Sequence, residues 1–122
     1  MRSDRLYLED IIAAADAIQR FIAEIVGESA FHDDELRQSA VLQKLIVIGE
    51  AATRLSPELR SQSSPIDWPD IVAFRNIAVH AYFSIDWSIV WVTAQDDVPK
   101  LRAQVQTILN QLDANFDLPE II

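Results

Sequence analysis

The chain has 122 residues, half of them hydrophobic and 24% charged, with 10 Lys+Arg against 19 Asp+Glu for a formal charge of −9. The apolar content excludes a disordered or low-complexity chain, and the charge excludes a generic nucleic-acid coat or a basic membrane binder, whose field must attract phosphate. Cysteine is absent and there are only 2 Gly, which removes disulfides, thiol chemistry and Gly-rich phosphate loops and disfavours hairpin-rich β folds.

That length predicts a single domain over residues 1–122. Residues 1–60 carry 7 basic and 11 acidic groups and residues 61–122 carry 3 and 8, so neither half reads as a charged tail. No apolar run approaches the roughly 18 residues of a membrane span, no secretory segment is visible, and a cytoplasmic protein is expected.

The first apolar pattern is Leu8, Ile11, Ala15, Ile18, Ile22 and Ile25. Its steps of three and four predict a one-sided helix, capped by Ser3 or Asp4 and closed by Gly27. Val41, Leu45, Ile48, Ala52 and Leu55 predict a second helix, capped by Asp33 or Asp34 and followed by Pro57. A parallel stripe of Leu42, Ile46, Gly49 and Thr53 widens its apolar face, as expected of a central helix or of one that meets another subunit. Ser56 to Ile66, rich in Ser and Pro, predicts a connecting loop. Asp67-Trp68-Pro69-Asp70 predicts the start of a third helix that runs to about His80. Asp86 caps a fourth, with the seam Trp91, Ala94, Val98, Leu101, Val105, Ile108 and Leu112 and a kink between Gln95 and Pro99. Asn115 to Ile122 is a short apolar end that docks or frays. Four helices with short connections and no strand pattern predict an all-α, up-down four-helix bundle, and the doubled stripe predicts a homodimer.

No nucleotide loop, metalloprotease helix or serine-hydrolase elbow occurs. Asp33-Asp34 and Asp96-Asp97 read as solvated helix faces, because neighbours on a helix diverge by about 100° and converge poorly on one ion, so no metal site is expected. His32 reads as a surface residue and the tryptophans as core or subunit contacts, since no basic groove interleaves with them. The stretch Arg75-Asn76-Ile77-Ala78-Val79-His80-Ala81-Tyr82 stands apart. It places a fixed cation, an amide, an imidazole and a phenol on a helix that should face the core. Arg can stabilise charge on a phosphoryl oxygen and His can move a proton, which suits phosphodiester chemistry without a metal or other cofactor. On an ideal helix Arg75 and His80 lie about 140° apart, whereas Asn76 and His80, and Arg75 and Tyr82, share faces. Either the helix ends before His80 or a second subunit completes the site. Arg and His tying helix ends to loop carbonyls is the other reading these residues allow.

Arg75-x4-His80-x-Tyr82 resembles the signature of the HEPN superfamily, and of its HepT-like toxin branch in particular. Ile48-Gly49-Glu50-Ala51-Ala52 with Leu55-Ser56-Pro57-Glu58-Leu59 resembles that branch's second helix. Trp68-x-x-Ile71-x-x-x-Arg75-Asn76 resembles its third. Phe83-Ser84-Ile85-Asp86, Ile89-Val90-Trp91 and Asp97-Val98-Pro99 resemble its fourth. The motif alone is short, but the ordered segments extend the likeness over most of the chain. Ala78 is smaller than the aliphatic residue expected there.

The resemblance implies a HEPN-like helical homodimer with both motifs in a shared cleft. It implies a metal-independent endoribonuclease toxin, with Arg75 and His80 catalytic and Asn76 positioning them. It further implies that a MntA-like minimal nucleotidyltransferase antitoxin silences the toxin by attaching AMP to Tyr82. The acidic composition is unusual for a protein that binds RNA; Arg37, Lys44, Arg54 and Arg75 could form a positive cleft, or the acidic surface could serve a basic partner. The competing reading is a non-enzymatic helical dimer that binds the nucleotidyltransferase as its scaffold or substrate.

Overall fold

In the computed structural model, residues 2–62 and 65–117 are described. Helices α1 (Asp4–Ile22), α2 (Gly27–His32), α3 (Glu35–Arg54), α4 (Pro57–Gln62) and α5 (Trp68–His80) are followed by a 3-10 turn at Tyr82–Ser84. Helix α6 (Trp87–Val92) then passes through a π turn at Thr93–Asp97 into α7 (Val98–Asp117). Among the described residues there is no strand, and the fold is all-α.

The helix starts follow side-chain capping. Ser3 caps α1 through Leu6 N–H, Asp34 caps α3 through Arg37 N–H, Asp67 caps α5 through Asp70 N–H and Asp86 caps α6 through Ser88 N–H. The Arg37 amide, and then its guanidinium, hold the Asp34 carboxyl below its ordinary pKa. Each cap satisfies a backbone donor that the first turn leaves without an intrahelical partner.

Long-range polar ties set the directions. Asp4, at the start of α1, accepts from the Ser56 amide (2.8 Å) and hydroxyl (2.6 Å), just beyond the end of α3. Arg5 pairs with Asp113 near the end of α7, and Arg102 near its start donates to Asp16 at 2.9 Å. Helix α1 is therefore antiparallel to both α3 and α7. Helix α3 is central: it packs against α1 on one side and α5 on the other. That placement accounts for its wide apolar face within one chain. Of the second stripe Leu42 and Gly49 are buried, and Ile46 and Thr53 are half-buried.

Three expectations are corrected. Gly27 does not close α1; it opens α2 with φ +87°, and α1 ends in an ordinary turn at Ala23. The segment from Ser56 to Ile66 is not all loop. Pro57 sits at the start of α4, the Ser56 hydroxyl accepts from Leu59 N–H at 3.2 Å, and Leu59 is buried. Helix α7 continues through Asn115 to Asp117, and the remainder of the predicted apolar end lies outside the described residues.

The expected kink is the π turn. Pro99 has no N–H to give to the carbonyl of Gln95 and its ring crowds that carbonyl, and the wider turn at Thr93–Asp97 accommodates both. No helix among the described residues is long and apolar enough to cross a membrane.

Helix α2 is anchored by Phe31, which is fully buried with its ring 5.3 Å from Trp91 and edge-on to Trp87 at 6.3 Å. Buried Gln38 donates to the His32 carbonyl at 3.1 Å and ties the end of α2 to α3. Phe31→Ala should cost about 3–5 kcal/mol, a cavity-scale loss, and should lower the midpoint of thermal unfolding followed by circular dichroism while also shifting tryptophan emission.

Candidate active site

The site grows from the contact between α3 and α5. A Cβ built on Gly49 would overlap the Arg75 Cβ and lie 2.7 Å from its Cγ. Gly costs about 1 kcal/mol in a helix interior relative to Ala, so a glycine in the fifteenth position of a 20-residue helix marks a close approach. Here the approaching group is the stem of Arg75.

Beyond that stem the guanidinium meets two acceptors. Arg75 Nε donates to Glu50 Oε1 at 2.5 Å, Nη2 forms an ion pair with the same oxygen, and Nη1 donates to Asn76 Oδ1 at 2.9 Å. The Arg75 side chain is about a quarter exposed and the Glu50 side chain 40% exposed. Two of its five N–H donors are thus hydrogen-bonded, and Nη2 is held by the ion pair.

His80 is the last residue of α5, so the helix does not end before it. The 140° separation from Arg75 therefore persists in one chain. The His80 ring is exposed and has no hydrogen bond or ion pair among the described residues. Asn76 shares a face with His80 by spacing, but its carbonyl oxygen is given to Arg75. Ala78, the small residue of the motif, is buried against the core.

Tyr82 lies in the stretch expected between the end of the third helix near His80 and the Asp86 cap: Ala81 leaves helical geometry (φ −134°, ψ 46°), and Tyr82 starts the 3-10 turn. It is 47% exposed, with its ring edge-on to that of Phe83 at 5.7 Å, and Phe83 is fully exposed. The amides of Ser84 and Ile85 bond back to the Ala81 and Tyr82 carbonyls, and Asp86 restarts the chain as α6.

The four cations named from the sequence do not gather in one cleft. Arg37 is paired with Asp34 and also donates to the Phe21 carbonyl. It stands 17 positions, or about 26 Å, along α3 from Arg54. Arg54 is exposed and lies one turn beyond Glu50 on α3. His32 is exposed as expected, with Nε2 3.2 Å from the Ser88 hydroxyl. No group of three or more His, Asp or Glu side chains suited to a metal ion occurs among the described residues.

A separate apolar groove of ≈ 610 Å³ lies on another side of α5, lined by Leu45, Ile48, Ile71, Phe74, Ile77 and Ile89 among others, but not by Arg75, His80 or Tyr82. Ile77, Val79, Ile89 and Val92 are exposed apolar residues on α5 and α6.

From the sequence Glu50 reads only as part of a helix. The signal that could have found it is a carboxylate next to a mid-helix glycine, since the close approach that requires the glycine also brings the carboxylate to the incoming side chain. Gly49→Ala should reverse the usual benefit of Ala in a helix. Because the overlap is with the Arg75 Cβ, α5 itself must shift, and an overpacking cost of about 1–3 kcal/mol is expected in thermal unfolding.

The HepT-like family, described as ribonuclease HepT-like, matches residues 11–108. A protein of Thermococcus cleftensis named "Probable ribonuclease HepT" is 34% identical over 107 residues, 88% of this chain and 96% of that protein. A Caldanaerobacter subterraneus subsp. tengcongensis protein named "Putative RNase TTE0752" is 32% identical over 114 residues, 91% of this chain and 98% of that one. This chain also spans about half (52%) of a longer Methanocaldococcus jannaschii protein named "Gamma-glutamylcyclotransferase and putative RNase MJ0434", at 30% identity over 94% of this chain. No solved structure matches at comparable significance. With the family's match spanning both the α3 segment around Gly49 and the Arg75–Tyr82 stretch, the chain belongs to the HepT-like ribonuclease family.

Proposed function

We propose that the chain is an endoribonuclease toxin that cuts RNA without a metal ion, with Arg75 and His80 catalytic and Asn76 positioning, and that a MntA-type minimal nucleotidyltransferase silences it by AMP transfer to Tyr82. The observation that carries this reading is the arrangement on α5: a tethered guanidinium and an exposed imidazole without a partner among the described residues, followed at once by a half-exposed phenol.

The chemistry needs no outside nucleophile. The 2′-hydroxyl attacks the neighbouring phosphorus, the bond to the 5′-oxygen breaks, and a 2′,3′-cyclic phosphate and a 5′-hydroxyl end result. Arg75 stabilises the charge gathering on the phosphoryl oxygens. One imidazole takes the 2′-hydroxyl proton and another gives a proton to the leaving oxygen. One chain has a single His80, turned away from Arg75, so the cleft is formed by two copies. What supports a homodimer is the set of exposed apolar residues Ile77, Val79, Phe83, Ile89 and Val92 beside the motif.

In silencing, the Tyr82 oxygen attacks the α-phosphorus of ATP, pyrophosphate leaves, and the phenol proton passes to a base of the partner. The assisting carboxylates and magnesium come from the nucleotidyltransferase, since a phenol is a weak nucleophile at neutral pH. The added phosphate competes for Arg75 with an RNA phosphate.

One observation favours the non-enzymatic scaffold reading: Arg75 already carries a carboxylate partner in a chain of charge −9. The two readings separate on variants. Arg75→Ala and His80→Ala should each lower RNA cleavage by roughly 10² or more with the unfolding midpoint retained, and cleavage should persist in EDTA. If His80→Ala loses stability instead of rate, His80 is structural.

Light scattering should give twice 13.8 kDa, and Ile89→Asp should return the protein to a monomer with reduced cleavage. With the nucleotidyltransferase, magnesium and ATP, intact mass should rise by one or more AMP units, and Tyr82→Phe should abolish the rise.

A further inference from the structure

We infer that Glu50 is a positioning residue for Arg75, holding the guanidinium so that an RNA phosphate meets only its terminal nitrogens; this rests on the ribonuclease reading above. The Nε/Nη2 edge, one of the two edges through which Arg grips a phosphate with two parallel hydrogen bonds, is occupied by Glu50 Oε1. Gly49 lets the stem lie flat on α3, and Asn76 holds Nη1 from its own helix. The side chain is thus held at its stem, at Nε and at both terminal nitrogens, whose remaining N–H groups are left for a phosphate.

Glu50 also offsets the charge of Arg75. In an acidic protein this weakens the grip on any passing phosphate and leaves the fixed donors to act where charge develops, at the reacting phosphoryl group. Orientation, more than affinity, is then what Glu50 contributes. An arginine freed of this carboxylate carries more effective charge and less order. It should hold RNA at least as well and turn it over more slowly.

The kinetic signature is a split. Glu50→Ala should lower kcat about tenfold or more with KM unchanged or reduced, whereas Arg75→Ala should lower kcat and raise KM. Glu50→Gln, which keeps an oxygen acceptor for Nε, should fall between Glu50→Ala and the wild type. Combining Glu50→Ala with Arg75→Ala should give the rate of Arg75→Ala alone to within about twofold, because Glu50 acts through Arg75. An unchanged kcat in Glu50→Ala, or losses that multiply in the double variant, would overturn the inference.

A second readout does not depend on cleavage. The Arg75 Nε–H, assigned by its loss in Arg75→Lys, should give a slowly exchanging signal in 15N-labelled protein, and that signal should broaden or vanish in Glu50→Ala. If Arg75→Ala cleaves RNA normally, the ribonuclease reading fails, and the Nε–H signal still decides whether Glu50 holds the guanidinium. A signal unchanged in Glu50→Ala means that it does not.

Discussion

The close approach of α5 to α3 at Gly49 is the constraint on which the site depends. Any side chain there would meet the Cβ of Arg75, which cannot swing aside as a side-chain tip can. The absence of that side chain lowers Arg75 onto the α3 backbone, and the neighbouring Glu50 then meets the guanidinium at hydrogen-bond distance. A packing requirement and a polar one are met by adjacent residues on one helix. The rest of the bundle serves this contact. Helix α1, tied to the far end of α3 through Asp4 and Ser56, and α7, tied back to α1, hold α3 central so that its second apolar face is free to receive α5.

The way α5 ends matters as much as where it packs. Neither Gly nor Pro stands between Ala81 and Asp86. The helix stops because Ala81 leaves helical geometry, a 3-10 turn takes up the next carbonyls, and Asp86 offers a new start. This keeps His80 on the helix while turning Tyr82 and Phe83 away from it. Within a single chain the helix spacing leaves Arg75 and His80 divergent.

Charge has to be read locally. A chain of −9 repels RNA on average, and its arginines at Arg5, Arg37, Arg75 and Arg102 are paired with carboxylates. Pairs with both partners as open to solvent as Arg5–Asp113 or Arg102–Asp16 contribute little to stability. The Glu50–Arg75 pair is different in kind, because a glycine contact beneath and an amide beside it restrict the same guanidinium. Its consequence is direction more than attraction.

Local chemistry was legible in the sequence wherever it is contained in a few consecutive residues. Ser3, Asp34, Asp67 and Asp86 cap the helices expected of them, Pro99 marks the interruption before α7, and the seam from Trp91 to Val105 is buried. Beyond Val105, Ile108 and Leu112 pack partly buried against the core, and Leu109 between them is buried as well. The short helices α2 and α4 were not legible, because six residues show too little periodicity, and their stability comes from Phe31 and Leu59 docking on distant partners. The Arg75, Asn76, His80 and Tyr82 stretch stood out by residue type alone. What only the tertiary structure decided is that Glu50, twenty-five positions away, meets Arg75. Periodicity reports which side of a helix is apolar; which helix will cover that side, and how closely, is set by the fit of one surface against another.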